Sequence, residues 1–194
     1  MRSTAAIGLV ALATLGAPSD RPGEEFSRPL GYQLGGMRLE EVRQRLGPAR
    51  LQQSGDAGES EQVVCYVAAK TGIQIAFKSG ELGGPENELQ GFSMKVQGPN
   101  ASPECLTLTP EREARLKFAI GRLRLGIARE DFRRIVQSAA GEPTHLVAQF
   151  LYQDRAPGRG APGNGVHWDT LITVEGRFVD DKATEVSVWR VVTQ

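Results

Sequence analysis

Residues 30–48 read LGYQLGGMRLEEVRQRLGP, and residues 120–143 read IGRLRLGIAREDFRRIVQSAAGEP. The match between these two stretches decides the fold expected of the chain. Leu30-Gly31 lines up with Ile120-Gly121, and Gly36-Met37 with Gly126-Ile127. Glu40, Glu41, Val42 and Arg43 line up with Glu130, Asp131, Phe132 and Arg133 at the same offset of 90. Any two amphipathic helices share a periodicity, but periodicity does not place glycines. The twin pairs Gly31/Gly36 and Gly121/Gly126 therefore point to an internal duplication.

Each stretch predicts a helix. Leu39, Val42 and Leu46 recur at i, i+3 and i+7, and Phe132, Ile135, Val136 and Ala139 do the same in the second stretch. Early carboxylates (Glu40, Glu41; Glu130, Asp131) suit the positive end of the helix dipole. Gly47-Pro48 and Gly141-Glu142-Pro143 supply the stops. Alternating apolar and polar residues then predict strands over 62–68, 72–78 and 89–96, and over 146–153, 166–179 and 184–192. Ser79-Gly80, Gly83-Gly84-Pro85 and Asp180-Asp181-Lys182 read as turns. The expectation is an α+β chain of two tandem helix-plus-antiparallel-sheet units in two layers, over 30–98 and 120–194. Residues 99–119 connect them, with Thr109-Pro110 opening a short helix by an N-cap and a Pro at the first position.

These residues resemble a known family. Leu125-Gly126-Ile127, the acidic helix from Arg129, Gly141-Glu142-Pro143 and Tyr152 are similar to the SmpA/OmlA (BamE-like) envelope domain. Leu34-Gly35-Gly36-Met37, Gly47-Pro48 and Tyr66 repeat the order. In tandem, such units resemble the architecture of β-lactamase inhibitory proteins. The resemblance implies a two-layer fold and an envelope or secreted location. Arg38 and Ala128 stand where that family usually has a Ser or Thr cap, and the lipidated Cys is missing.

The N-terminus has the order of a signal peptide: Arg2, then an uncharged apolar run over 5–15, then small residues Gly16, Ala17 and Ser19. The run is too short for a ~30 Å hydrocarbon core. Pro stands at position 18, where a lipoprotein would carry its acylated Cys. Residues 1–19 are thus expected to be a signal peptide and 20–29 a flexible leader, giving a periplasmic or secreted, soluble protein without a lipid anchor.

Lys+Arg and Asp+Glu each number 23, so the formal net charge is zero. Nucleic acid is disfavoured as a partner, because it rewards a basic excess that displaces condensed counterions. The 112–134 stretch is locally basic, with Arg112, Arg115, Lys117, Arg122, Arg124, Arg129, Arg133 and Arg134. It reads either as a patch for anionic lipid or as a solvated face paired with Glu111, Glu113, Glu130 and Asp131. Cys65 and Cys105 are the only two cysteines, and in an exported chain they are expected to form one disulfide. His145 and His167 fall short of a Zn site even with Asp169 added, since nothing fixes their geometry. No Gly-x-Ser-x-Gly frame, carboxylate dyad or phosphate-binding glycine loop is present. No catalytic residue, metal or cofactor is assigned.

The last strand carries the sharpest clue. If Val186 and Val188 face the helices, then Ser187, Trp189 and Val191 face away, and Trp189 stands on an open sheet face as a binding anchor. Tyr66 and Tyr152 are expected to join it. The reading is a non-enzymatic protein that binds another protein through a sheet face or the cleft between the copies. The alternatives are an envelope module on anionic lipid and a secreted enzyme inhibitor.

Overall fold

The computed structural model describes residues 21–54, 61–80, 87–98, 104–155 and 167–193. Residues 1–19, expected to be a signal peptide, most of the glycine-rich segment 154–165 and the start of the connecting segment lie outside them.

Among the described residues there are three short α-helices: α1 (Leu39–Leu46), α2 (Pro110–Glu113) and α3 (Arg129–Val136). Nine strands accompany them: β1 (Leu51–Ser54), β2 (Glu61–Ala68), β3 (Ile73–Ser79), β4 (Gly91–Val96), β5 (Leu106–Thr107), β6 (Ala140–Glu142), β7 (His145–Arg155), β8 (His167–Val179) and β9 (Lys182–Thr193). They form one sheet in the order β1-β2-β3-β4-β9-β8-β7-β6, with β5 parallel to β2.

This corrects the α+β expectation of two helix-plus-sheet units. The described residues are 48% strand and 18% helix, and the fold is mainly β. The physical reason is the pairing of β4 with β9, centred on Ser93 opposite Ser187. Each strand ends a meander and would otherwise leave a row of unpaired backbone groups at an edge. Sequence periodicity carries no information about such an edge-to-edge union. Three strands were also missed: β1, β5 and β6 are four, two and three residues long, too short to show an alternation.

Both longer helices lack a side-chain cap at Arg38 and Ala128. Their orphan N–H groups are met by the neighbouring chain instead: Leu39 N donates to Asn87 O (2.9 Å) and Arg129 N to Asp181 O (3.1 Å). Glu41 adds a hydrogen bond from Arg38 N at 2.8 Å. The loops before the helices dock in matching ways. Gly35 N donates to Leu89 O and Leu89 N to Met37 O, at 2.7 Å each; Gly126 N donates to Ala183 O (2.8 Å) and Ala183 N to Ile127 O (2.9 Å). α3 ends earlier than its sequence pattern suggests. Gln137 adopts φ 60° and turns the chain, so Ala139 lies beyond the helix and Gly141 falls in β6.

The core lies on one face. Leu39, Val42 and Leu46 of α1 and Phe132 and Val136 of α3 join a single cluster with Val64, Tyr66, Phe77, Phe92, Val174, Val186 and Val188. Phe132 packs edge-on to Phe178 at 5.4 Å, above Gly176, where an added Cβ would come within 2.9 Å of both rings. That close approach explains a glycine in the middle of β8.

The expectation of a flexible leader over 20–29 is also corrected for residues 21–29. Phe26 is 1% exposed and lies 5.6 Å from the Phe150 ring, and Ser27 is fully buried. Burying Phe26 stabilises by roughly 2 kcal/mol, so a segment that reads as polar is fastened by its one aromatic.

Cys65 and Cys105 lie at disulfide distance, with Cα atoms 4.7 Å apart. The pair holds the connecting segment beside β5 along the outer edge of β2, past the end of β1. Reduction, or Cys65→Ser/Cys105→Ser, is expected to lower the unfolding free energy by about 2–4 kcal/mol. Guanidinium denaturation with and without reductant measures it, and an unchanged midpoint would mean that β5 docks without the link.

Candidate functional site

Along the inner strands the residues alternating with the core line the opposite face of the sheet. On β9 these are Glu185, Ser187, Trp189 and Val191; on β4, Gly91, Ser93 and Lys95; on β3, Gln74, Ala76 and Lys78. On β8 and β7 they include Leu171, Thr173 and Glu175, and His145, Val147, Gln149 and Leu151. Neither α1 nor α3 reaches this face, because their buried residues belong to the cluster on the other side.

Trp189 stands on the open face, as its alternation implies. It is half-buried against Gly91, its cross-strand partner: a Cβ added there would lie 2.7 Å from the indole. The ring is flat on the strand because glycine leaves the room. Lys78 Nζ sits 5.2 Å from the ring centroid and 2.9 Å from Glu61 Oε1. A cation over an indole at a partly exposed site contributes about 0.5–1 kcal/mol. The ammonium thus fixes the indole while the carboxylate balances its charge.

Next to Trp189 runs an apolar row that the sequence reading missed. Leu151, Leu171 and Val191 are cross-strand neighbours on β7, β8 and β9, and Leu151 is 65% exposed. Three apolar residues in register on a helix-free face, beside a pinned tryptophan, form a patch of the kind that marks interaction surfaces. Polar groups frame it. His145 Nε2 lies 3.1 Å from Glu175 Oε2, and Arg177 Nε lies 3.8 Å from Glu185 Oε2. The signal in the sequence was a break in alternation: Phe150-Leu151-Tyr152 and Thr170-Leu171-Ile172 put an apolar residue where the solvent face calls for a polar one.

Tyr66 and Tyr152 do not join this site, and that expectation is corrected. Tyr66 is fully buried on the core face, its hydroxyl donating to Gly47 O at 2.9 Å, where it ties β2 to the end of α1. Tyr152 also lies on the core side, and its hydroxyl donates to Glu24 Oε2 at 2.7 Å. Both are one residue out of phase with the open face, and a strand sends such neighbours to opposite sides.

His145 and His167 are separated rather than gathered. His145 pairs with Arg177 and His167 with Arg155, at opposite ends of the β7–β8 ladder. At ~3.3 Å per residue, the ten positions between Arg177 and His167 span roughly 30 Å. Half of the basic stretch is neutralised on the spot. Arg122 pairs with Glu25 (3.2 Å), Arg129 with Asp181 (3.0 Å), Arg133 with Glu130 (3.9 Å) and Arg134 with Asp131 (2.9 Å). Glu113 is buried and caps the β2–β3 turn, accepting from Lys70 N and Thr71 N.

No family model, curated protein or solved structure matches this chain.

Gly91→Ala is expected to lift the indole off β4 and expose it, shifting Trp fluorescence to longer wavelength while the fold persists; unchanged emission would deny the stacking. The tyrosines give a second test. Burial, the largest cause, pushes Tyr32, Tyr66 and Tyr152 above the ordinary tyrosine pKa, and the hydrogen bond to Glu24 adds to it at Tyr152. A neutral phenol is favoured in the fold, so its stabilising contribution is intact below the unfolded pKa of about 10 and fades as pH rises through the raised values. Phenolate absorbance should therefore lag in the native protein relative to the chain in guanidinium. Coincident titration curves would contradict this.

Proposed function

We propose that this is an exported protein that binds another protein through the open face of its sheet, with Trp189 as the anchor and Leu151, Leu171 and Val191 as the apolar floor. The observation that carries the reading is the in-register apolar row beside the indole, on a face that neither α1 nor α3 covers. A tryptophan held in one orientation loses little freedom on association, which is why such residues dominate binding energies. The charged groups around the row suit a hydrated rim that supplies orientation rather than affinity. No catalytic residue, cofactor or metal enters this function.

Export is part of the same proposal. It is supported by the order of residues 1–19 and by the disulfide-distance cysteine pair, which suits an oxidising compartment such as the periplasm or the exterior. Among the described residues, no helix is long and apolar enough to cross a membrane. A secreted enzyme inhibitor is the narrower form of this reading, with the sheet face laid over its target.

Site-specific photo-cross-linking in a cell that exports the chain tests it. A photoreactive residue at Thr173, between Trp189 and Gln149 on the open face, is expected to give a discrete adduct that Leu151→Asp and Trp189→Ala each abolish. The same group at exposed Gln44 on α1 is expected to give none. Identical adducts from both positions, or none from Thr173, would overturn the open face as the binding surface. Steady-state inhibition of a β-lactamase panel by the purified chain separates an inhibitor from other protein binders.

A further inference from the structure

A second site lies away from the open face, at the C-terminal end of α1. Three segments distant in sequence meet there around a cleft of about 410 Å³: Leu30 and Tyr32 before α1, Arg45 in its last turn, and Arg112, Arg115 and Leu116 in and after α2. The volume falls within the range of small-molecule sites, ~300–1,000 Å³.

The three arginines differ from the ion-paired ones further along the chain. Arg122, Arg129, Arg133 and Arg134 each have a carboxylate within 4.0 Å. Arg45, Arg112 and Arg115 form no such pair with any described residue. Arg45 is placed over the Tyr32 ring, 5.7 Å from its centroid. The Arg112 guanidinium covers Gly47, leaving no room for a Cβ there. Glu111 is the acid whose charge state Arg115 and Arg112 help to set, but its carboxyl is engaged first by its own backbone N–H and by the Thr109 hydroxyl. The negative end of the α1 dipole accounts for Arg45. It does not account for Arg112 or Arg115.

The lining of the cleft is strained at Leu30. Leu30 adopts φ 52°, ψ 17°, a left-handed conformation that is unfavourable for a residue with a Cβ. It is held there by the hydrogen bond from Leu30 N to Ala119 O (3.2 Å), which joins the leader to the connecting segment. Strain of this kind persists where the surroundings over-determine a geometry, and it clusters at ligand sites. Leu30 and Leu116 add apolar lining to the cleft beside its arginines.

We propose that this cleft binds the phosphate head of an amphipathic molecule, the head between Arg45, Arg112 and Arg115 and the apolar part against Leu30 and Leu116. Phosphate fits better than a single carboxylate, since its oxygens and near-double charge engage several guanidinium forks at once.

Titration calorimetry with n-octyl phosphate tests the cleft, with inorganic phosphate and n-octyl glucoside as head-only and tail-only controls. Octyl phosphate is expected to bind at least ~10-fold more tightly than either control. Arg112→Gln/Arg115→Gln is expected to weaken it by ~100-fold, as each of the two lost charge-assisted contacts is worth about a factor of 10. Arg129→Gln/Arg134→Gln, which removes ion-paired arginines, is expected to leave it unchanged. Circular dichroism confirms that each variant folds, and Arg112→Lys, which keeps charge without the fork, is expected to recover only part of the affinity. Equal loss in both double variants, or binding no tighter than inorganic phosphate, would overturn the site. Sedimentation with phosphatidylcholine vesicles, with and without phosphatidic acid, then separates the sources. Pelleting that requires phosphatidic acid and is competed by octyl phosphate assigns a membrane lipid head. Octyl phosphate binding without pelleting assigns a free amphiphile, and binding to neither overturns the proposal.

Discussion

The pairing of β4 with β9 is the interaction on which the rest of the structure depends. Each is the last strand of a meander, β1 to β4 on one side and β6 to β9 on the other, and their antiparallel ladder runs from Gly91 opposite Trp189 to Lys95 opposite Glu185. It converts two exposed edges into shared backbone hydrogen bonds and makes one core where two would be small. A sheet of four strands under one eight-residue helix buries little apolar area, and stability scales with the area removed from water. Phe92 and Met94 therefore find partners in Val188 and Val186, and the core cluster extends unbroken from α1 to α3.

The same ladder creates the open face. Opposing Gly91 to Trp189 is what lets the indole lie on the sheet, and Lys78 reaches it from β3, one strand further on. Gly176 plays the opposite part on the core side, where Phe132 and Phe178 occupy the space a side chain would need. One glycine admits an aromatic to the exposed face and the other admits two to the interior. Neither role follows from the glycine alone.

The short segments between the regular elements carry more of the structure than their composition suggests. Phe26 seats the 21–29 segment against Phe150, and Glu24 and Glu25 fasten it to Tyr152 and Arg122. The Cys65–Cys105 pair and Glu113 clamp the connecting segment to β2 and its following turn.

The sequence by itself determined the local elements. The spacing of Leu39, Val42 and Leu46, the alternation through Ile73, Ile75 and Phe77, the Thr109-Pro110 start of α2 and the outward direction of Trp189 are all set by backbone periodicities of 3.6 and 2. Cysteine count and the order of the first residues were equally legible. What only the tertiary structure decided was which elements share an edge, a face or a pocket. The α+β reading gave way because strand partners are chosen by register and by the burial of distant edges, which no local pattern encodes. Tyr66 and Tyr152 fell on the core side because one residue of phase reverses a strand's face. Leu151 and Leu171 became a row, and Arg45, Arg112 and Arg115 a cluster, only once residues far apart in the chain were brought together by the shared core.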